Sequence, residues 1–151
     1  MPNKPRFPNK VNMVKGANAL LVIFAVAPVL WPVIAFLVTL GNPGFARDPN
    51  IIPVLFIGLA LVSLATIGFT VFIQTSRKLM SARARYDPIG RTFQLMSLGA
   101  ILSEEHAIYG LVLSLLSGSI FYGIGFTIVT WASLWWIWKR FKQSLASLPN
   151  M

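Results

Sequence analysis

The chain has 151 residues, of which 56% are hydrophobic and only 11% are charged, and its 13 lysines and arginines against four acidic residues give a net charge of +9. With a mean hydropathy of +0.70, this composition excludes a soluble enzyme, a disordered chain and a nucleic-acid-binding domain, and it indicates an integral membrane protein. The absence of cysteine excludes disulfides and thiolate metal sites, and a single histidine excludes a poly-histidine metal site, so no metal is expected.

The first half of the chain contains two charge-free stretches long enough to cross a bilayer, whose hydrocarbon core needs about 20 helical residues. They predict a first helix over residues 18–40, after a basic N-terminal arm, and a second helix over residues 52–75. Pro28 and Pro32 lie inside the first helix, where we expect a neighbouring helix to satisfy the carbonyls that proline leaves without a donor. The second helix has a small-residue face suited to close packing, formed by Gly58, Ala65 and Gly68.

The second half of the chain allows two interpretations. Residues 76–91 are rich in arginine and predict a loop at the membrane surface that contacts anionic lipid. The uncharged run that follows, residues 106–138, would be about 50 Å long as one helix, against a hydrocarbon core of about 30 Å. Either this run is a single long third crossing, or a third helix over residues 93–116 is followed by a turn at Ser-Gly-Ser and a fourth helix over residues 120–138.

The distribution of basic residues favours four crossings. In that arrangement the N-terminal arm, the basic loop and the C-terminal tail share one side and hold 12 of the 13 lysines and arginines, with only Arg47 opposite. The positive-inside rule then predicts an all-α integral membrane protein with four transmembrane helices in two hairpins and both termini cytoplasmic. Residues 1–151 form a single transmembrane domain, and we expect a bacterial inner membrane or an organellar membrane.

The predicted third helix carries adjacent carboxylates, Glu104 and Glu105, near its middle and therefore near the bilayer centre. Each charge costs about 3 kcal/mol or more at that depth, so the two side chains are expected to pair, to face protein or to hold a proton. Tyr109 lies four residues after Glu105 on the same face, where its hydroxyl can donate to the carboxylate. Glu104, Glu105 and Tyr109 are therefore candidates for ion binding, with interhelical hydrogen bonding as the structural alternative.

His106 lies on a different side of this helix, about 160° from Glu104. It falls on a stripe along which another helix can approach closely, formed with Gly99, Ser103, Gly110 and Ser114. A histidine in this position suits an interhelical hydrogen bond and predicts no cofactor; the alternative is an axial ligand to haem or to a chlorophyll-type pigment.

The segment AILSEEHAIYGLVLSLL resembles the ion-binding helix of the vacuolar-type rotary ATPase proteolipid. That helix has an apolar run, a small residue, a glutamate, four residues and then Tyr-Gly-Leu. The resemblance implies that Ser103 is the small residue and Glu104 the ion carrier, with Tyr109 and Gly110 in the signature. It is a resemblance to one helix and not to a ring subunit, because the first helix has no glycine between Ala17 and Leu40 and cannot pack at a ring centre.

No nucleotide-binding, hydrolase, metalloprotease or calcium-binding motif occurs in the sequence, so we do not expect an enzyme. The loops are too short for an extramembrane domain. These features predict a non-enzymatic accessory or structural subunit of a larger membrane complex, with other membrane subunits or a second copy of the chain as partners and no nucleic acid. The alternative is proton or cation translocation through Glu104.

Overall fold

The computed structural model describes residues 10–40, 45, 50–76 and 88–147, and the regular secondary structure in these ranges is entirely helical. Its four helices are α1 (Lys10–Thr39), α2 (Ile51–Thr75), α3 (Pro88–Ser117) and α4 (Ile120–Ala146). Each helix is long and apolar enough to cross a membrane. The predicted all-α architecture with four such helices is confirmed, and the single long third crossing is wrong, because the run breaks between Ser117 and Ile120.

Three helices extend beyond the predicted spans. α1 begins at Lys10 instead of residue 18, α3 at Pro88 instead of residue 93, and α4 continues to Ala146 instead of ending at residue 138. The prediction followed the apolar runs, whereas a helix satisfies its own backbone groups on either side of the bilayer core and can continue into polar flanks. Residues 88–91 are therefore helical and not part of the basic loop. The rest of that loop, residues 77–87, lies outside the described residues, as does most of the N-terminal arm.

The turn between α3 and α4 is closed by side chains. Gly118 has a φ of 70°, a left-handed conformation that glycine adopts without a steric penalty. The Ser117 hydroxyl accepts a hydrogen bond from the Ser119 amide at 3.1 Å. In addition, the Ser114 hydroxyl accepts one from the Gly123 amide at 2.8 Å, which ties the first turn of α4 to α3.

α3 is the central helix and contacts each of the other three, while α1 also packs along α4. Accordingly, 44% of the most apolar stretch of α3 is buried within the protein, against 11% of that of α2. α2 is therefore a peripheral helix, held mainly by α3, and most of its surface is open to lipid or to another protein.

One apolar cluster joins the start of α1, the start of α3 and the end of α4. Its buried members are Ala17, Ile89, Met96, Ile137, Phe141 and Leu145. At the other end of α3, the Phe45 amide donates to the Leu115 carbonyl at 3.1 Å, which holds Phe45 near the turn between α3 and α4.

One of the two carbonyls that the prolines of α1 leave without a donor is satisfied by α4, as predicted. Because Pro32 has no N–H, the carbonyl of Pro28 has no donor within the helix. The Thr127 hydroxyl of α4 donates to this carbonyl at 3.1 Å. One turn away, the Trp131 indole donates to the Ala25 carbonyl at 2.9 Å. These bonds tie α1 to α4 along the segment where proline weakens the hydrogen bonding of α1.

Candidate functional site in the middle of α3

The polar residues at positions 104–106 lie in the middle of α3, with Glu104 about 24 Å from the start of this 30-residue helix. Because three helices pack around α3, successive residues face different neighbours. Glu104 faces α1 and His106 faces α2, in agreement with their predicted angular separation. The three side chains therefore do not form one pocket.

His106 is 1% exposed, and its Nδ1 lies 2.9 Å from the Ser63 hydroxyl of α2. Whether the imidazole donates or accepts depends on its tautomer. Ser63 is itself buried, so each group satisfies the other at a place where water has no access. The predicted interhelical hydrogen bond is confirmed. Ligation of haem or a pigment by His106 would require the helices around this ring to separate.

Glu105 and Tyr109 form the predicted pair on one face of α3. The Tyr109 hydroxyl donates to Glu105 Oε2 at 3.2 Å. The Tyr109 ring also packs edge-on against Phe126 of α4, with ring centroids 6.4 Å apart, which restricts the tyrosine to this position. The contact is confirmed, and the proposed ion-binding role of the pair stays a prediction.

Glu104 has a neighbour that the sequence did not indicate, the indole of Trp31 in α1. The indole Nε1 and the carboxyl Oε1 are both buried, and neither atom has a partner at hydrogen-bonding distance. The two groups thus face each other without closing a hydrogen bond. Their hydrogen-bonding chemistry is complementary, because the indole N–H can only donate and the carboxyl oxygen can accept. The available sequence signal was a tryptophan in mid-span, where its N–H needs a polar partner.

The small residues of α3 lie where the other helices approach most closely. A Cβ added to Gly110 would lie 2.8 Å from Phe126 Cβ and 3.0 Å from the Tyr122 carbonyl oxygen. A Cβ on Gly99 would lie 2.5 Å from the Gln74 amide nitrogen and 3.3 Å from Thr70 of α2. Ser103 and Ser114 are buried on the same stripe. The predicted packing stripe is thus used within the chain, against both α4 and α2.

Within the described ranges, no group of three histidine, aspartate or glutamate side chains converges as a metal site requires. Glu104 and Glu105 are the only carboxylates on α3, and none of the other helices carries one. The site can therefore exchange a proton or form hydrogen bonds through single carboxyl groups. It offers no multi-carboxylate cage for a divalent cation.

Comparisons of the chain with protein-family models, with curated proteins and with solved structures find no match. The resemblance of α3 to a proteolipid ion-binding helix therefore stays a prediction.

Proposed function

We propose that this multi-pass membrane protein is a non-enzymatic accessory or structural subunit of a larger membrane assembly. The observation that carries the proposal is the small-residue face of α2, formed by Gly58, Ala65 and Gly68. All three residues are exposed, and a Cβ added to Gly58 or Gly68 would meet no atom within 4 Å. Within a membrane, helices associate through such faces because small residues let two backbones approach closely.

The contrast with α3 supports this proposal. The glycines of α3 are covered by helices of the same chain, whereas those of α2 have no neighbour within the described residues. Several polar groups at mid-membrane depth, among them His106 and Thr127, are engaged in hydrogen bonds that hold helices together. The polar residues thus serve the bundle, and α2 presents the face that a helix of another subunit, or of a second copy, would cover.

Copurification tests the proposal. The tagged full chain is extracted from its native membrane in a mild detergent, with Gly58→Leu and Gly68→Leu as variants. Gly125→Leu is the matched control, because Gly125 is also exposed and also has no atom within 4 Å of an added Cβ. We expect a fixed set of copurifying subunits, or a stable dimer, that is lost in the two α2 variants and kept in the control. Equal recovery from all three variants would overturn the assignment of this face.

The proposed orientation has both termini in the cytoplasm and two hairpins, in a bacterial inner membrane or an organellar membrane. It rests on the 12 basic residues that four crossings assign to one side. The cluster that joins the start of α1 with the end of α4 supports it, because it keeps both of these helix ends on the same side.

A second function, proton or cation translocation through Glu104, is supported by one observation. Glu104 Oε1 is a buried acceptor without a partner in the middle of α3, and the Trp31 N–H faces it. Glu104→Gln keeps the shape of the side chain and removes its ionisation, and Glu105→Gln is the neighbouring control. In proteoliposomes, loss of proton flux in the first variant alone would favour translocation. Intact assembly and activity of the parent complex with Glu104→Gln would favour the subunit role.

A further inference from the structure

An open apolar groove runs between α1 and α4. Its volume is about 780 Å³, and its walls include Val22, Val26 and Val29 of α1 and Trp131, Trp135 and Trp138 of α4. The groove extends along α1 from Asn18 to Leu30, about 18 Å at 1.5 Å per residue. This length is close to the depth of one leaflet, about half of a 30 Å hydrocarbon core.

Two lysines lie at one end of this groove. Lys139 Nζ is 5.5 Å from the ring centroid of Trp135, and Lys142 Nζ is 4.6 Å from that of Trp138. Both distances are within the range of a cation–π contact, which holds the ammonium groups against the tryptophans that form the groove wall. Asn18 adds a polar side chain to the lining.

The charge at this end is not balanced by the helices that form the groove. Neither α1 nor α4 contains an aspartate or a glutamate. The third cation of this turn, Arg140, points elsewhere: its guanidinium carbon is 5.9 Å from the ring centroid of Trp136, and its side chain lines a small cavity with Gln74. The groove thus combines an apolar wall one leaflet deep with two ammonium groups at one end.

We propose that this groove binds one anionic phospholipid, with an acyl chain along α1 and the phosphate at Lys139 and Lys142. A single chain from one leaflet matches the length of the groove, and a headgroup phosphate supplies the anion that the two helices lack. A transmembrane helix of a partner would extend through both leaflets and would bring no negative charge to this end. The lipid would fill the space between α1 and α4 and stabilise their contact at the membrane surface.

Quenching of tryptophan fluorescence by brominated lipid tests this site directly, because three tryptophans line it. The full chain is reconstituted in phosphatidylcholine vesicles that contain a small fraction of brominated phosphatidylglycerol, and separately of brominated phosphatidylcholine. We expect the wild type to prefer phosphatidylglycerol. Each lysine near an anionic lipid contributes about fivefold in affinity. The double variant Lys139→Gln/Lys142→Gln is therefore expected to lower the preference for phosphatidylglycerol over phosphatidylcholine by about 25-fold. High salt is expected to weaken this preference in the wild type.

Arg140→Gln is the matched charge control, since it removes one cation from the same turn but on another side of α4. Val26→Phe fills the groove, and Ile23→Phe adds the same bulk at a position that is 67% exposed and does not line the groove. The proposal is supported if quenching by brominated phosphatidylglycerol falls in the double lysine variant and in Val26→Phe but stays unchanged in Arg140→Gln and Ile23→Phe. An unchanged preference in the double lysine variant, or equal effects of the two phenylalanine substitutions, overturns it.

Discussion

The close approach of α4 to α3 at Gly110 gives a quantitative prediction. In Gly110→Ala, the new methyl group would lie 2.8 Å from Phe126 Cβ, 3.0 Å from the Tyr122 carbonyl oxygen and 3.1 Å from Gly123 Cα. Ordinary carbon contacts are about 3.5–4.0 Å, so α4 must move away by several tenths of an ångström. None of these atoms belongs to the flexible end of a side chain, and the shift would also lengthen the hydrogen bond between Ser114 and Gly123.

The expected change in the free energy of unfolding follows from two opposing effects. Overpacking of this kind costs about 1–3 kcal/mol, while replacing glycine by alanine within a helix contributes about 1 kcal/mol in favour of folding. Gly125→Ala gains the second effect alone, because an added Cβ at that position meets no atom within 4 Å. The free energy of unfolding should therefore be lower in Gly110→Ala than in Gly125→Ala by about 1–3 kcal/mol.

Equilibrium unfolding in mixed micelles, with an increasing fraction of denaturing detergent, measures this difference. Helix content followed by circular dichroism reports the transition, and every 1.4 kcal/mol corresponds to a tenfold change in the ratio of folded to unfolded protein. If Gly110→Ala is as stable as Gly125→Ala, or more stable, the close approach of α3 and α4 at this position is refuted.

Three further predictions concern topology and hydrogen bonding. The chain has no cysteine, so an impermeant thiol reagent should label Phe45→Cys in intact cells and leave Ser147→Cys unlabelled; the reverse pattern would contradict the cytoplasmic termini. Thr127→Val removes the hydrogen bond that α4 gives to a proline carbonyl of α1, and it should lower the free energy of unfolding by about 0.6–2 kcal/mol. Thr75→Val removes a bond within one exposed helix turn, and an equally large loss there would argue against the interhelical role. Ser63→Ala should lower the free energy of unfolding by about 1–3 kcal/mol, because the buried His106 loses its partner. Chemical unfolding that matches the wild type would exclude this bond as a stabilising contact.

Much of this fold could be predicted because the relevant information is local. The charge-free stretches set the number and approximate position of the helices, since a bilayer core tolerates few charges and needs about 20 apolar residues for a crossing. The break at Gly118 was indicated by a run too long for one crossing together with the sequence Ser-Gly-Ser. The contact between Glu105 and Tyr109 followed from their separation by one helical turn.

The helix ends were less predictable, because backbone hydrogen bonding continues a helix beyond the apolar run. The start of α3 at Pro88 and the end of α4 at Ala146 lie in polar sequence, where hydropathy carries no signal. The residues beyond the bilayer core thus follow helix-terminus preferences, such as that of proline for the first turn, and not the hydrophobic pattern.

The sequence alone favoured four apolar helices, placed 12 of the 13 cations in three segments and placed Glu104 and Glu105 in the middle of the third helix. Only the tertiary structure decided which helix each polar residue meets. Trp31 faces Glu104, Ser63 meets His106, and Thr127 satisfies Pro28, across separations in sequence that no periodicity encodes. The reason is physical: helical periodicity fixes the direction of a side chain around its own axis, whereas its partner depends on the order in which the helices pack. That order places α3 at the centre and leaves the small-residue face of α2 open.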